Sequence, residues 1–303
     1  MTAYLDAFGS WLPERVVTNA ELAGRLGRTV EWMESASGIR ERRWAAAQTT
    51  VADMAVAAAE DCLRRAEVSR AGMVILASGS AARGFPGPAA EVAARLGLAP
   101  APAMDVPMAS AGGLFGLDLA RRYAADYGEV LVIGSEKMSV VAGEDPNTAL
   151  LFGDGAGAAL VSSRPGRWKI LDSALHSDGQ YREDLKFDGA GPLTMNGLSV
   201  ILQASRKLPA VIQEVLERQR IAPQEVQVFL LHQANLNLLT RVAKALGVPV
   251  EKVFTNVERY GNTSSASMLI AAAEWSAANP AAAGPIVLAA FGAGFHWGAL
   301  VAA

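Results

Sequence analysis

The sequence predicts a layered α/β fold, and three observations carry that prediction. Short apolar runs alternate with helical stretches along most of the chain, the order strand, helix, strand recurs in both halves, and 51% hydrophobic residues over 303 positions suffice for a large buried core. Residues 2–9 form a first strand. Val51–Ala66 reads as an amphipathic helix, and "MVILASGS", Met73–Ser80, is a short apolar strand running into small residues. A helix over Pro88–Leu96 leads to a strand ending near Val106. The helix that starts after Ser110 is followed by two strands, "EVLVIGSE" at 129–136 and "GAGAALVSS" at 155–163. The polar, turn-forming "SSRPGRW" at 162–168 then divides the chain into an amino-terminal half, 1–166, and a carboxy-terminal half, 167–303. The second half resumes with "WKILDSALH" at 168–176, a helix over Gln203–Arg220, the strand "VQVFLLH" at 226–232 and a helix over Asn235–Leu246. An apolar pair, "GPIVLAAFG" and "GALVAA", closes it around a glycine-rich turn. The halves share an element order without a close sequence repeat, which permits a duplicated fold.

Composition narrows the function classes. A formal charge of -3 and no dense Lys/Arg tract give no footprint for nucleic acid, so a small-molecule or protein substrate is the expectation. The amino terminus has no basic region followed by an apolar run, and no segment reads as a bilayer span; cytoplasm is the default compartment and no membrane partner is expected. Cys62 is the only cysteine and sits in a helical pattern, where buried packing is its expected role. His176, His232 and His296 have no metal-site spacing, so no metal is expected.

Three polar residues stand at element junctions: Ser110 at a helix start, His232 at the end of an apolar strand and Asn262 in "ERYGNTSSAS". Acyl transfer needs a nucleophile, an imidazole to move its proton and donors for the oxyanion, and loops on a rigid scaffold can bring such groups together. Serines also cap helices and asparagines fill turns, so spacing alone leaves both readings open. Gly153, Gly155 and Gly157 in "FGDGAGAA" match no phosphate-binding pattern and read as tight turns and close sheet approach.

Beyond these junctions, the chain resembles the β-ketoacyl-acyl carrier protein synthase III family of the thiolase-like superfamily. The likeness is carried in order by "SWLPERVVTNAELA", "EWMESASGIRERR", "DVPMASAGGLFG", "ALLFGDGAGAALV", "MNGLSV", "LLHQAN", "YGNTSSASM" and "AAFGAGFHWGALV". It implies a five-layered α/β/α/β/α fold of two similar halves, a homodimer, and acyl thioesters entering through a tunnel, with CoA or phosphopantetheine as substrate carrier and no tightly bound cofactor. It also places Ser110, His232 and Asn262 at the family's catalytic triad, and the Gly292–Ala293–Gly294 turn beside the nucleophile as an oxyanion donor. Ala293 stands where glycine is common, which narrows the allowed dihedral angles.

The main departure is Ser110, where the family carries cysteine. A thiol supplies some thiolate at neutral pH, whereas a hydroxyl needs a base at the moment of attack. Ser110 is therefore a nucleophile for acyl transfer or starter loading, a remnant in a weakened subunit that supports a condensing-enzyme partner, or a deliberate replacement of a native cysteine in a decarboxylative synthase. Trp32 would stack on the adenine of coenzyme A, and Phe85 would line the acyl pocket or the dimer interface. Arginines that help hold the coenzyme phosphates or an acyl carrier protein are replaced by Ala36, Asn147 and Asn237, which points to an unusual acyl-CoA or acyl-carrier-protein donor. Arg40, Arg42, Arg43 and Arg241 could redirect carrier docking or simply be solvated.

Overall fold

A computed structural model describes residues 2–81, 85–189 and 191–303. The chain opens with strand β1 (Tyr4–Trp11), then β2 (Val16–Thr18), the short helices α1 (Asn19–Leu26) and α2 (Val30–Ser37), and β3 (Glu41–Arg43), which pairs with β2. The apolar pattern does not announce these two helices; their caps do. Thr18 and Thr29 accept N–H bonds from the first turns, and Gly27 and Gly38 end the helices in the left-handed conformation.

The following elements run in the predicted order: α3 (Val51–Arg65), β4 (Met73–Ala77), α4 (Pro88–Arg95), β5 (Ala103–Val106), α5 (Gly112–Tyr127), β6 (Glu129–Lys137), the short α6 (Pro146–Ala149) and β7 (Asp154–Ser162). Beyond the turn at 163–167 come β8 (Trp168–Ser177), β9 (Leu185–Lys186), β10 (Thr194–Met195) and α7 (Gly197–Gln219). Helix α7 starts at Gly197 rather than Gln203, capped by Asn196, because its exposed Leu198 and Leu202 obscure the amphipathic pattern of its first turns. The chain finishes with β11 (Val228–Leu231), α8 (Leu236–Leu246), α9 (Val257–Tyr260), α10 (Ser267–Ala278), β12 (Ile286–Gly292) and β13 (His296–Ala302). Helix α10 is buried around most of its circumference from Ser267 to Ser276, so it shows no clear amphipathic stripe for a sequence pattern to reveal.

The main strands form a ladder in the order β11-β12-β13-β8-β1-β7-β6-β4-β5. Strands β1 and β8 meet through the pairs Tyr4–Lys169 and Leu5–Trp168, so the ladder is two sheets joined at a corner. Helices α3 and α4 pack their apolar faces on one outer surface, with Met54, Cys62 and Val92 buried there. On the other outer surface, α7 and α8 bury Leu208, Ile212, Leu239 and Val242. Between the sheets lie α5 and α10, whose Leu114, Leu117, Met268 and Leu269 are buried in one core with residues of both sheets. The layers are α/β/α/β/α.

Small residues let the middle layer come close. A Cβ at Gly157 would lie 2.6 Å from the Leu269 Cβ and 2.7 Å from the Ile270 nitrogen, so β7 can meet α10 only through a glycine. Cys62 is buried against Ala7, and burial pushes its thiol pKa up, which keeps it protonated and unreactive. Among the described residues no helix is long and apolar enough to cross a membrane.

Candidate active site

Ser110 lies in the turn between β5 and α5 with a left-handed backbone, φ +62°, and is 8% exposed. It does not cap the helix: the N-cap of α5 is Ala111, with no side-chain cap bond. A strained backbone at a buried hydroxyl points to a functional constraint. The turn is fixed from two sides. Ser110 donates its backbone N–H to Ser264 Oγ at 2.9 Å, and Gly292 backs onto it so closely that a Cβ there would sit 2.4 Å from Ala109 O and 2.8 Å from Ser110 Cβ.

His232 follows β11 and extends its ladder by donating its backbone N–H to Ala289 O at 2.8 Å. Its Nδ1 lies 2.5 Å from Ser267 Oγ at the start of α10, and that hydroxyl also accepts the N–H of Gln233 at 3.1 Å. Nε2 is thus the ring nitrogen without a partner among the described residues. Burial without a compensating charge pushes the imidazole pKa down to about 4, so the ring is neutral at neutral pH.

Asn262 is pinned by its backbone between Leu151 O, which accepts its N–H at 2.8 Å, and the N–H of Gly153, which donates to its carbonyl at 3.1 Å. Its Oδ1 accepts the Ser264 N–H at 2.8 Å, which leaves the amide Nδ2 as a donor with no partner among the described residues. Ser264 therefore ties Asn262 to Ser110, one hydrogen bond through its backbone and one through its hydroxyl.

These groups open onto one cavity of about 530 Å3, whose wall includes Ser110, His232, Asn262, Ser264, Ala293, Gly294 and His296. The rest of its lining is mainly apolar, from Met138, Val141, Leu193, Met195, Val200 and Leu208 among others, with Arg182, Glu183, Lys186 and Asp188 also present. Ala293 has no left-handed backbone, so its methyl is accommodated without dihedral strain. The restrictive position is Gly294, with φ +134° and the His296 ring where a Cβ would stand.

Neither sequence-derived substrate contact lies in this wall. Trp32 on α2 is 38% exposed, with the Arg28 guanidinium over its ring at 5.0 Å. Phe85 is 98% exposed and does not line this chain's own cavity, so the pocket-wall placement is not met within one chain. Arg42 is not a docking residue. It is fully buried, donating to Asn19 Oδ1 at 2.8 Å and to Leu150 O at 2.6 Å. At two of the positions lacking an arginine, neutral amides make internal bonds: Asn237 Nδ2 donates to Ser35 O and Ala36 O, and Asn147 Nδ2 to Asp145 Oδ1. Ser264 and Ser267 escaped the sequence reading because a serine-rich stretch after an asparagine looks like an ordinary turn. The apolar cavity wall left no signal at all, since its residues are those of a core.

A profile described as 3-oxoacyl-[acyl-carrier-protein] synthase III matches residues 104–179, and one described as the C terminal of the same enzyme matches residues 216–303. The beta-ketoacyl-[acyl-carrier-protein] synthase III of Aquifex aeolicus is 37% identical over 299 residues, covering 97% of this chain and 96% of that protein. The crystal structure of 3-oxoacyl-[acyl-carrier-protein] synthase III from the same organism superimposes with a TM-score of 0.95 at 35% identity, covering 99% of both chains. A priming beta-ketosynthase from the R1128 polyketide biosynthetic pathway superimposes with a TM-score of 0.91 at 29% identity, covering 99% of this chain and 95% of that one.

Proposed function

This chain belongs to the 3-oxoacyl-[acyl-carrier-protein] synthase III family of enzymes, and from that premise we propose that it transfers an acyl group from a thioester through an ester formed on Ser110. The observation that carries the proposal is the convergence of the Ser110 hydroxyl, the neutral His232 ring and the Asn262 amide on one largely apolar cavity. The donor is a CoA or acyl-carrier-protein thioester, its acyl chain lying against the apolar wall. Ser110 Oγ attacks the thioester carbon while His232 takes the hydroxyl proton at Nε2. Collapse of the tetrahedral intermediate breaks the C–S bond, and the same proton leaves with the thiol.

The developing oxyanion is held by N–H donors from the Gly292–Ala293–Gly294 turn and from Ser110 itself. The Ser110 N–H is already engaged by Ser264 Oγ, so a carbonyl oxygen has to share or displace that hydroxyl. Asn262 offers its Nδ2, which has no partner among the described residues, as a further donor. Ser267 holds the imidazole in place through Nδ1, and Ser264 holds the Asn262 amide.

A second reading, decarboxylative condensation, is favoured by one feature: the His232 ring and the Asn262 amide each present a polar nitrogen with no partner among the described residues, an arrangement suited to an enolate. One set of measurements separates the two. Incubation with octanoyl thioesters of coenzyme A and of an acyl carrier protein, followed by intact-protein mass measurement, should show an octanoyl adduct that disappears in Ser110→Ala while donor binding persists. An adduct that survives Ser110→Ala places the nucleophile elsewhere. Carbon–carbon bond formation with a malonyl thioester, gained in Ser110→Cys, supports condensation; faster acylation without it supports transfer.

A further inference from the structure

We propose that His296 is a second catalytic imidazole of the cavity, which deprotonates the acceptor that removes the acyl group from Ser110. This rests on the acyl-transfer reading above. His296 is the first residue of β13 and pairs directly with Gly292, the residue whose bare Cα lies against the Ser110 turn. Directly opposed residues of an antiparallel ladder point to the same face. The His296 side chain therefore projects to the side on which Gly292 meets Ser110, and two contacts agree: His296 lines the cavity with Ser110, and its ring packs edge-on against Phe115 of α5, the helix that Ser110 precedes.

The surroundings are built to hold that ring. Gly294 makes room for it, since a Cβ there would stand 2.2 Å from Cδ2 and 2.3 Å from Nε2. The Ser177 hydroxyl lies 2.7 Å from Nδ1, and in the tautomer this role requires it accepts the Nδ1 proton and leaves the Nε2 lone pair to act as the base; Nε2 has no protein partner among the described residues. Partial burial lowers the imidazole pKa, so the ring is ready to accept a proton at neutral pH.

The step balances for an alcohol acceptor. The acceptor oxygen attacks the ester carbon of acyl-Ser110 as its proton passes to His296 Nε2. Collapse breaks the bond to Ser110 Oγ, the imidazolium returns the proton to that oxygen, and free Ser110 and the acyl ester of the acceptor remain. Hydroxylamine, a strong nucleophile without such help, depends less on the base.

The test splits the two half-reactions. Octanoyl-CoA loads the protein, the octanoyl-Ser110 adduct is followed by intact mass, and it is discharged with butan-1-ol or with hydroxylamine. In His296→Gln, discharge to butanol should fall on the order of 100-fold, the range for loss of a general base, and at least tenfold more than either loading or discharge to hydroxylamine. Ser177→Ala, at an exposed position, should slow the butanol step several-fold and keeps the question answerable if His296→Gln does not fold. Equal losses in all three steps, or butanol discharge at the unmodified rate, overturn the role of His296. Failure of the unmodified protein to form any octanoyl-Ser110 adduct overturns the acyl-transfer reading first, and this inference with it.

Discussion

His232 owes its neutrality to burial, and this sets two expectations at the scale of the residue. The unfolded imidazole titrates near 6.5 and the folded one at about 4, so across that interval the unfolded chain binds the extra proton and the folded chain does not. Stability contributed at neutral pH is therefore lost as pH falls from about 6.5 to about 4, by roughly 3 kcal/mol for this ring. His232→Asn should flatten that slope in urea unfolding measured across the interval; an unchanged slope assigns it to other groups. The rate of octanoyl loading should likewise hold steady down to about pH 5 and fall near pH 4, as a base of the lowered pKa requires. A falling limb near 6.5 in rapid-quench mass measurements would contradict a desolvated ring.

Elements, not single residues, deliver the site, and Glu136 at the end of β6 shows how. Its carboxylate is fully buried, yet it accepts from Ser78 Oγ, from the Gly79 and Ser80 N–H groups, from Ser80 Oγ and from the N–H and Oγ of Ser265. Among these contacts every partner is a hydroxyl or a backbone N–H, and none is a cation. The carboxylate thereby locks the loop after β4 to the 264–266 turn, and that turn carries the Ser264 hydroxyl that steadies Ser110. An amide in its place offers two donors where only acceptors fit. Glu136→Gln should lower the unfolding free energy by about 2 kcal/mol, the cost of buried groups left unpaired, and slow loading of Ser110 with it. A urea midpoint and a loading rate that both match the unmodified protein would show that the clamp is not needed.

At the scale of the whole molecule, two sheets with α5 and α10 between them bring the Ser110 turn, the His232 strand end and the Asn262 loop to one place. The same arrangement leaves Phe85 almost wholly in solvent, although burying such a ring stabilises by about 1.5–3 kcal/mol. A second copy of the chain is the expected cover. If two copies associate through this ring, Phe85→Asp should raise the dissociation constant of that self-association at least tenfold, read by sedimentation velocity over a dilution series. Unaltered association would place the dimer contact elsewhere.

The sequence by itself determined the alternation of strands and helices and the family, and it nominated Ser110, His232 and Asn262 as site candidates, because periodicity, turn residues and ordered motifs are local properties. Where surroundings hide periodicity, it failed: α10 is buried along most of its length, and α7 exposes leucines in its first turns. Only the tertiary structure decided which polar groups face one another. The hydroxyls of Ser264 and Ser267 sit in a stretch that reads as a turn, Arg42 looks like a surface charge until its carbonyl partners fold over it, and His296 gains its place only through the pairing of β12 with β13. A buried hydrogen bond or a lowered pKa depends on what the fold brings within about 3 Å and on the water it excludes. Neither is written at any one position of the chain.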